Sequence, residues 1–463
     1  MKESPRRAED MRKNTLNMTE GSVVSTLLLF TVPIFVSNLF QQLYNVVDVA
    51  VIGHILGDQA LAAVGATSAI YSLVVGFING MSNGFCVIIA RYFGGNEEER
   101  FHRAVDLSIL LTVLAAAVLT LACRLVLRTV LGLLNTPEEI LELSYGYISA
   151  ILLFCCVTFA YNLLSSMLRA IGNSYIPLYA LILASVLNVV LDLLFVRTMG
   201  MGVKGAAYAT VIAQGFSVLF QLVYIWKCCP LLRADLRGLT PDPAILSELL
   251  STGFSMAMML VLTNVGSVIL QSSINSFGTA TITGHTAARK FHDLCMLPLG
   301  TICTASATFV SQNYGARKKE RIGQGIRAGL LLGSAWSAFV LLVVLLFGAQ
   351  LIRLLTGTSD AEAVAVAMKY LYWNVPFYAV LNVLLVMRNS LQALGDRTIP
   401  VVASSIEMAV KFAGAFLLSG WIGYLGVCLT EPISWIACGA LVMAGFRKRI
   451  RQLNESTAIS SGK

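Results

Sequence analysis

Four residues that could bind a cation or a polar ligand, Gln41, Tyr44, Asn45 and Asp48, lie close together in one apolar stretch. The stretch 24–51 is long enough to cross a bilayer as a helix, since roughly 20 apolar residues span a hydrocarbon core of ~30 Å. Tyr44 and Asp48 are four residues apart and therefore share one face of that helix. A carboxyl group at membrane depth is costly unless it faces protein or a water-filled cavity. The pattern therefore predicts the wall of a polar cavity.

The composition of the whole chain is typical of an integral membrane protein. Of its 463 residues, 57% are hydrophobic and only 13% are charged, whereas soluble domains carry about 25% charged residues. The mean hydropathy is +0.76. We predict an all-α integral membrane protein with twelve transmembrane helices. Their predicted limits are 24–51, 60–92, 104–127, 141–170, 176–196, 206–227, 245–275, 281–314, 322–350, 366–394, 399–419 and 426–446.

The positions of the basic residues predict the orientation of these helices. The net charge is +8, yet few basic residues fall in the loops on the predicted outer side. Those few are Arg124, Arg128, Arg197, Lys204 and Arg353. Because Lys and Arg accumulate on the cytoplasmic side of membrane proteins, we expect a multi-pass protein of the bacterial cytoplasmic membrane with both termini in the cytoplasm. The charge then gives no support to a nucleic-acid partner.

Motifs of enzymes and of resident metal sites are missing from the sequence. The ten Cys lie in apolar runs or as adjacent pairs, and the four His form no HxxxH motif. No His-Glu-x-x-His sequence and no Ser/His/Asp constellation occurs. We therefore expect neither an enzyme nor a protein with a cofactor.

An internal repeat divides the chain into halves. The sequence IARYFGGNEEER, which starts at Ile89, aligns without gaps on VSQNYGARKKER, which starts at Val310. SMLRAIGNSYIP from Ser166 aligns in the same way on NSLQALGDRTIP from Asn389. Because each half holds an even number of spans, the repeats have the same orientation, as in transporters with a cavity between their halves. We predict two pseudo-symmetric six-helix lobes around a central cavity.

The repeat and the hydropathy together define the predicted domains. A polar stretch with three prolines separates the two sets of six spans. The predicted domains are a basic cytoplasmic N-tail (1–23), an N-lobe (24–229), a cytoplasmic linker (230–244), a C-lobe (245–446) and a cytoplasmic C-tail (447–463).

An ordered set of residues across both halves resembles the multidrug and toxic compound extrusion (MATE) family of cation-coupled exporters. The set consists of Pro33, Asn45, Val47, Asp48, Gly53, Gly57, the run Leu61–Gly65, Gly80, Gly84, Gly94 and the two Gly-x4-Pro loops, Gly172 to Pro177 and Gly395 to Pro400. The count of twelve spans agrees with it. The resemblance covers about residues 20–450. It implies an antiporter that exports amphipathic, cationic drugs or toxic compounds by alternating access, in exchange for H⁺ or Na⁺. The lack of a Gly-x4-Gly-Lys-Ser/Thr sequence argues against direct use of ATP.

The resemblance also implies which residues couple transport to the cation. The acid of the family's first span corresponds to Asp48, and the Asn-x3-Asp pair of its fifth span to Asn188 and Asp192. Thr210 and Tyr44 fall where the family has a hydroxyl and a phenol in the cavity. Two carboxylates close together in low dielectric favour uptake of a proton. Carboxylate, amide and hydroxyl oxygens are equally suited to Na⁺, and the sequence leaves both ions open.

The second half departs from part of the family. Some branches have acids in the seventh and tenth spans for Na⁺, and this chain has none there beyond Glu248 at the inner edge. The departure indicates the branch that resembles DNA-damage-inducible transporters. Arg289 and Lys411 have two interpretations, either ion pairs inside the lobe, with Glu407 as the i,i+4 partner of Lys411, or a positive cavity wall. Glu431 receives no role. The predicted substrate-cavity residues are Gln41, Asn45, Arg289, Tyr370, Trp373, Asn374 and Lys411.

The expected partners are small-molecule substrates and membrane lipid. A monomer suffices, because the two lobes already enclose a cavity. The alternative function is that of a lipid-linked oligosaccharide or lipid flippase of the same superfamily, which requires a strongly cationic cavity in both lobes. Asp48 and Asp192 oppose this alternative in the N-lobe, whereas Lys411 and Arg289 leave it open in the C-lobe.

Overall fold

A computed structural model of the chain describes residues 15–134, 136–235, 242–356 and 360–461, and within these ranges it contains helices and no strand. The helices are α1 (Val23–Leu56), α2 (Asp58–Gly94), α3 (Glu98–Leu133), α4 (Glu138–Leu153), α5 (Cys155–Ala170), α6 (Tyr175–Asp192), α7 (Gly202–Cys228), α8 (Pro243–Ile274), α9 (Thr279–Gly315), α10 (Lys319–Thr356), α11 (Ala361–Asn374), α12 (Tyr378–Ala393), α13 (Thr398–Ala413), α14 (Ser419–Ile422) and α15 (Tyr424–Ser461). Two π-helical segments, Leu193–Thr198 and Gly414–Leu418, follow α6 and α13.

The predicted all-α membrane fold is confirmed. In the described residues, eleven helical stretches are long and apolar enough to cross a membrane, and α4 with α5 adds a twelfth if this pair counts as one span. The pair is bent by 48°, at the position of Phe154, so the predicted span 141–170 is a broken helix. The predicted span 366–394 is also divided, because a 3-10 turn at Val375–Phe377 separates α11 from α12. The helical stretches of the other spans end within a few residues of the predicted limits or continue beyond them.

The backbone conformation repeats together with the sequence. Asn96 and Arg317, which align in the first repeated motif, both have positive φ, at 53° and 58°. Gly172 and Gly395, which align in the second motif, both have a φ of 87°. Left-handed conformations are uncommon outside glycine. That Asn96 and Arg317 share this conformation therefore supports their alignment in the repeat. In each of the two repeated motifs, both copies therefore end their helix with the same type of turn.

The chain forms two compact units. The first contains the segment that ends at Glu20 together with Leu28–Ala257, and the second contains Gly21–Leu27 together with the chain from Met258 onwards. The limits predicted from the sequence for the N-lobe (24–229) and the C-lobe (245–446) stay a prediction. Residues 1–14 of the predicted N-tail, residues 236–241 of the predicted linker and residues 462–463 of the predicted C-tail lie outside the described part.

Polar side chains connect helices within the first unit. On α5, the Thr158 hydroxyl donates to Gln214 Oε1 at 2.8 Å and the Ser165 hydroxyl donates to Gln221 Oε1 at 3.1 Å. Both acceptors lie on α7, and the two pairs are two helical turns apart. Hydrogen bonds between membrane helices contribute about 0.6–1 kcal/mol each. They hold α7, which carries Thr210, against α5.

A closer contact joins α2 to the first turns of α8 inside the same unit. A Cβ atom on Gly84 would lie 2.5 Å from the Cα of Gly253, and one on Gly80 would lie 2.4 Å from the Cα of Ala257. Small residues four apart permit this approach of two backbones in a membrane. The close packing of α2 against α8 therefore depends on glycine, which has no Cβ atom, at positions 80 and 84.

Replacement of Gly84 by valine is expected to lower the stability of the purified protein by about 1–3 kcal/mol, the usual cost of overpacking. Gly65→Val is the matched control, because Gly65 lies on the same helix and a Cβ there meets no atom within 4 Å. Thermal unfolding of both variants in the same detergent measures the difference. Equal midpoints for the two variants would show that the α2–α8 contact does not limit stability.

Candidate functional site

Two buried carboxyl groups meet in the first unit. Asp48 on α1 is 9% exposed, and Asp192 at the end of α6 is fully buried. The two carboxyl groups lie within hydrogen-bonding reach of each other. Each has an oxygen, Oδ1, that no donor among the described residues contacts. Two ionised carboxylates in this position would repel each other at low dielectric, so the geometry requires a proton or a cation between them.

Three polar residues surround the two acids. The Asn188 side-chain amide makes two hydrogen bonds. Its Nδ2 donates to Asp192 Oδ2 at 2.8 Å, and its oxygen accepts from the Thr210 backbone N–H at 3.3 Å. The Tyr44 hydroxyl donates to Thr210 Oγ1 at 3.3 Å. The structure thus brings together Tyr44, Asp48, Asn188, Asp192 and Thr210, the five residues predicted for cation coupling. Their role in coupling stays a prediction.

The local backbone explains the position of Asp192. It is the last residue of α6, and the π-helical segment Leu193–Thr198 begins directly after it. A π-helical turn interrupts the regular hydrogen bonding of a helix and occurs often at functional sites. Asn188 lies one turn earlier and is also fully buried. The helix therefore has both side chains on one face, where Asp192 reaches Asp48 and Asn188 supports Asp192.

Two tyrosines near the acids were missed by the sequence reasoning. Tyr71 on α2 and Tyr147 on α4 are close enough to Asp48 for a direct electrostatic interaction. Tyr147 is packed in an apolar cluster with Ile52 and Val196, and Tyr71 packs against that cluster. A phenol inside an otherwise apolar span is the sequence signal that could have found them.

The remaining predicted residues of the first span lie apart from this cluster. Asn45 is exposed, and Gln41 is partly buried. The Gln41 amide donates to Asn45 Oδ1 at 3.3 Å, one turn away on the same helix. Their predicted contact with substrate stays a prediction.

In the second unit, Glu431 is the centre of a cluster of charged and polar side chains. Arg289 Nη1 donates to Glu431 Oε1 at 2.8 Å, and the Tyr370 hydroxyl donates to the other carboxylate oxygen. Arg289 Nη2 also lies 3.6 Å from Asp293. Glu431 is only 4% exposed, so it supplies the buried counter-charge for Arg289. The structure thus joins two predicted cavity residues through an acid to which the sequence gave no role.

Lys411 belongs to a second buried network. Its ammonium group lies 3.1 Å from Glu407 Oε1 and donates to Ser267 at 3.2 Å. Arg388 on α12 reaches the other oxygen of Glu407 at 3.3 Å. The i,i+4 pair of Glu407 and Lys411 follows from the sequence, whereas Arg388 was missed because it lies on another helix. The contacts agree with the ion-pair interpretation of Lys411.

The last two predicted cavity residues, Trp373 and Asn374, follow each other on α11. Asn374 is fully buried, and its amide donates to the backbone oxygens of Tyr370 at 2.9 Å and Cys428 at 3.1 Å. Trp373 is 42% exposed. The contacts of Asn374 connect α11 to α15, and a role of either residue in binding substrate stays a prediction.

Comparisons with known proteins support one family. The MatE family model matches residues 33–194 and 243–417. The "Probable multidrug resistance protein YpnP" of Bacillus subtilis is 28% identical over 92% of this chain and 96% of its own length. The multidrug export protein MepA of Staphylococcus saprophyticus is 21% identical over 92% of this chain and 93% of its own length.

Solved structures show the same fold. A crystal structure of a MATE protein in the bent conformation has a TM-score of 0.88 at 20% identity and covers 98% of this chain and 100% of its own. The outward-facing conformation of a multidrug resistance MATE family transporter of the MOP superfamily also has a TM-score of 0.88, at 21% identity, with 95% of this chain and 98% of its own covered. Members of this family are transporters and not enzymes. The chain belongs to the MatE family of multidrug and toxic compound extrusion transporters.

Proposed function

We propose that this protein is a cation-coupled antiporter that exports small amphipathic, cationic compounds from a bacterial cell through the cytoplasmic membrane. The observation that carries the proposal is the buried pair of Asp48 and Asp192, each with an oxygen that lacks a donor. The relatives named as multidrug proteins support the class of substrate. In this proposal both termini lie in the cytoplasm.

The pair of acids supplies the coupling. A cation that enters between the two carboxyl groups removes their mutual repulsion and stabilises the conformation in which they lie close together. A ligand shifts a conformational equilibrium only through its different affinity for the two states. Binding of the cation from outside therefore favours the state that releases the drug, and loss of the cation inside favours the state that binds the next one.

The contacts around the acids support H⁺ as the coupling ion. A sodium site needs several oxygen ligands, and the Asn188 oxygen already accepts from the Thr210 backbone while its nitrogen faces Asp192. The Thr210 hydroxyl oxygen accepts from Tyr44. Asp48 and Asp192 lie within hydrogen-bonding reach of each other, as two carboxyl groups that share one proton do. We therefore propose H⁺ rather than Na⁺ as the coupling ion.

Efflux of a fluorescent organic cation from proteoliposomes tests the proposal. We expect an imposed pH gradient to drive efflux by the wild type, a sodium gradient without a pH gradient to drive little, and Asp48→Asn to abolish the driven component. Dye binding to Asp48→Asn in detergent controls for the fold of the variant. Wild-type efflux driven by Na⁺ alone would replace the proton by sodium in the proposal.

The same experiment separates the antiporter from the flippase alternative. A flippase moves a lipid-linked sugar and gives no dye efflux under either gradient. The relatives are named as multidrug proteins, which does not favour this alternative, and the two acids of the N-lobe do not suit a pyrophosphate. Transport of a fluorescent lipid-linked oligosaccharide without dye efflux would nevertheless overturn the proposed export of drugs.

A further inference from the structure

A cleft of about 220 Å³ opens in the first unit between the later turns of α3, the second half of α4 and the first turns of α7. Two cationic side chains, Arg124 and Lys204, line it together with the hydroxyl-bearing residues Tyr145, Ser149 and Tyr208. Hydroxyl groups and basic side chains are the donors that bind phosphate oxygens. The composition of the cleft is thus suited to an anion.

Within the described part of the chain, the positive charge of the cleft has no acidic partner. Among the described residues, no acid forms an ion pair with Arg124 or Lys204. Arg128, one turn further along α3, differs because it pairs with Glu142 at 2.9 Å and lies 4.8 Å from the centre of the Tyr145 ring. The two cations that line the cleft are therefore available to a ligand.

The position of Lys204 is set by packing. A Cβ atom on Gly146 would lie 2.7 Å from the Cε atom of Lys204, so the aliphatic part of the lysine rests directly on the backbone of α4. Long basic side chains commonly bury their methylene groups and leave the charged end free. The ammonium group is held at the cleft although the residue itself is exposed.

An apolar groove of about 550 Å³ continues from the cleft between α3, α5 and α7. Thr120 and Arg124 line both spaces. Along α3 the groove extends from Ile109 to Arg124, which is ~22 Å of helix at 1.5 Å per residue. One leaflet occupies about half of a ~30 Å hydrocarbon core. The groove is therefore long enough for an acyl chain.

We propose that the cleft and the groove together bind an anionic phospholipid of the membrane. Arg124 and Lys204 contact the headgroup phosphate, and one acyl chain lies along α3 between α5 and α7. A basic residue near the membrane surface strengthens the binding of an anionic lipid about fivefold. Two such residues are therefore expected to strengthen it about 30-fold. A cationic drug would be repelled here, so this site is separate from the acids of the proposed transport pathway. With the orientation predicted from the basic residues, the headgroup lies in the outer leaflet.

Native mass spectrometry of the full-length protein in detergent tests this site. We expect phosphatidylglycerol to bind more tightly than phosphatidylcholine with the same chains. The variant Arg124→Ala/Lys204→Ala should bind phosphatidylglycerol about 30-fold more weakly, which corresponds to about 2 kcal/mol. Arg197→Ala is the matched control, because it removes an exposed basic residue from the same end of the unit without touching the cleft. Equal binding by the double variant and the control would overturn the proposal.

Two further measurements distinguish a lipid from a small anion. Inorganic phosphate at equal concentration is expected neither to displace the lipid nor to raise the thermal stability, and displacement by phosphate would reduce the site to an anion cleft. Ala117→Trp fills the groove at an exposed position and should weaken phosphatidylglycerol binding with both cations in place. Unchanged binding by this variant would contradict the acyl-chain position. Thermal midpoints without lipid, expected to equal that of the wild type, show that each variant is folded.

Discussion

Asp192→Asn is expected to lose all efflux driven by a cation gradient while the protein remains at least as stable as the wild type. Asp192 is fully buried, and its carboxyl group lies within hydrogen-bonding reach of Asp48. Asparagine keeps the shape of the side chain and can still bond Asn188, but it cannot take up and release a proton. Because the variant has one buried acid fewer, the repulsion between the two carboxylates disappears.

Loss of transport with retained stability separates coupling from folding. Efflux from proteoliposomes and thermal unfolding in detergent measure the two properties on the same preparation. Asp106→Asn is the control, because Asp106 is a buried acid of the same unit whose carboxylate accepts from the Asp235 backbone at 3.0 Å, away from the Asp48 pair. We expect normal efflux from this variant. Full efflux from Asp192→Asn would exclude the carboxyl pair as the coupling site.

The acid cluster was predictable only in part from the sequence. Asp48 stands out because a carboxyl group within an apolar span needs a local reason. Asn188 and Asp192 follow from the resemblance to the family and from their shared helix face. Tyr71 and Tyr147 lie on two other helices, and their proximity to Asp48 depends on how those helices pack, which a hydropathy pattern does not contain.

The same distinction holds for the backbone. The limits of the spans follow from hydropathy, and the repeated turns follow from two aligned motifs. The bend at Phe154 and the π-helical segment Leu193–Thr198 have no proline or glycine to mark them. Kinks without such residues arise where tertiary contacts replace the regular hydrogen bonds of a helix, so sequence alone predicts straight helices there.

Glu407→Gln is expected to destabilise the second unit by about 3–5 kcal/mol, the usual result when one partner of a buried ion pair is removed. The variant leaves Arg388 and Lys411 without their common counter-charge. Their exposed fractions are 5% and 3%, so water cannot replace the carboxylate. The thermal midpoint of the purified protein measures the loss.

Two comparisons make this prediction specific. Glu142→Gln removes an exposed partner of Arg128 and should cost at most ~1 kcal/mol, as surface pairs do. Lys411→Met in the Glu407→Gln background removes one of the two unpaired cations and should restore part of the stability, so that the double change costs less than the sum of the single changes. If Glu407→Gln were as mild as Glu142→Gln and efflux were lost instead, Lys411 would act on the substrate, and the second unit would contribute a cationic wall to the transport cavity.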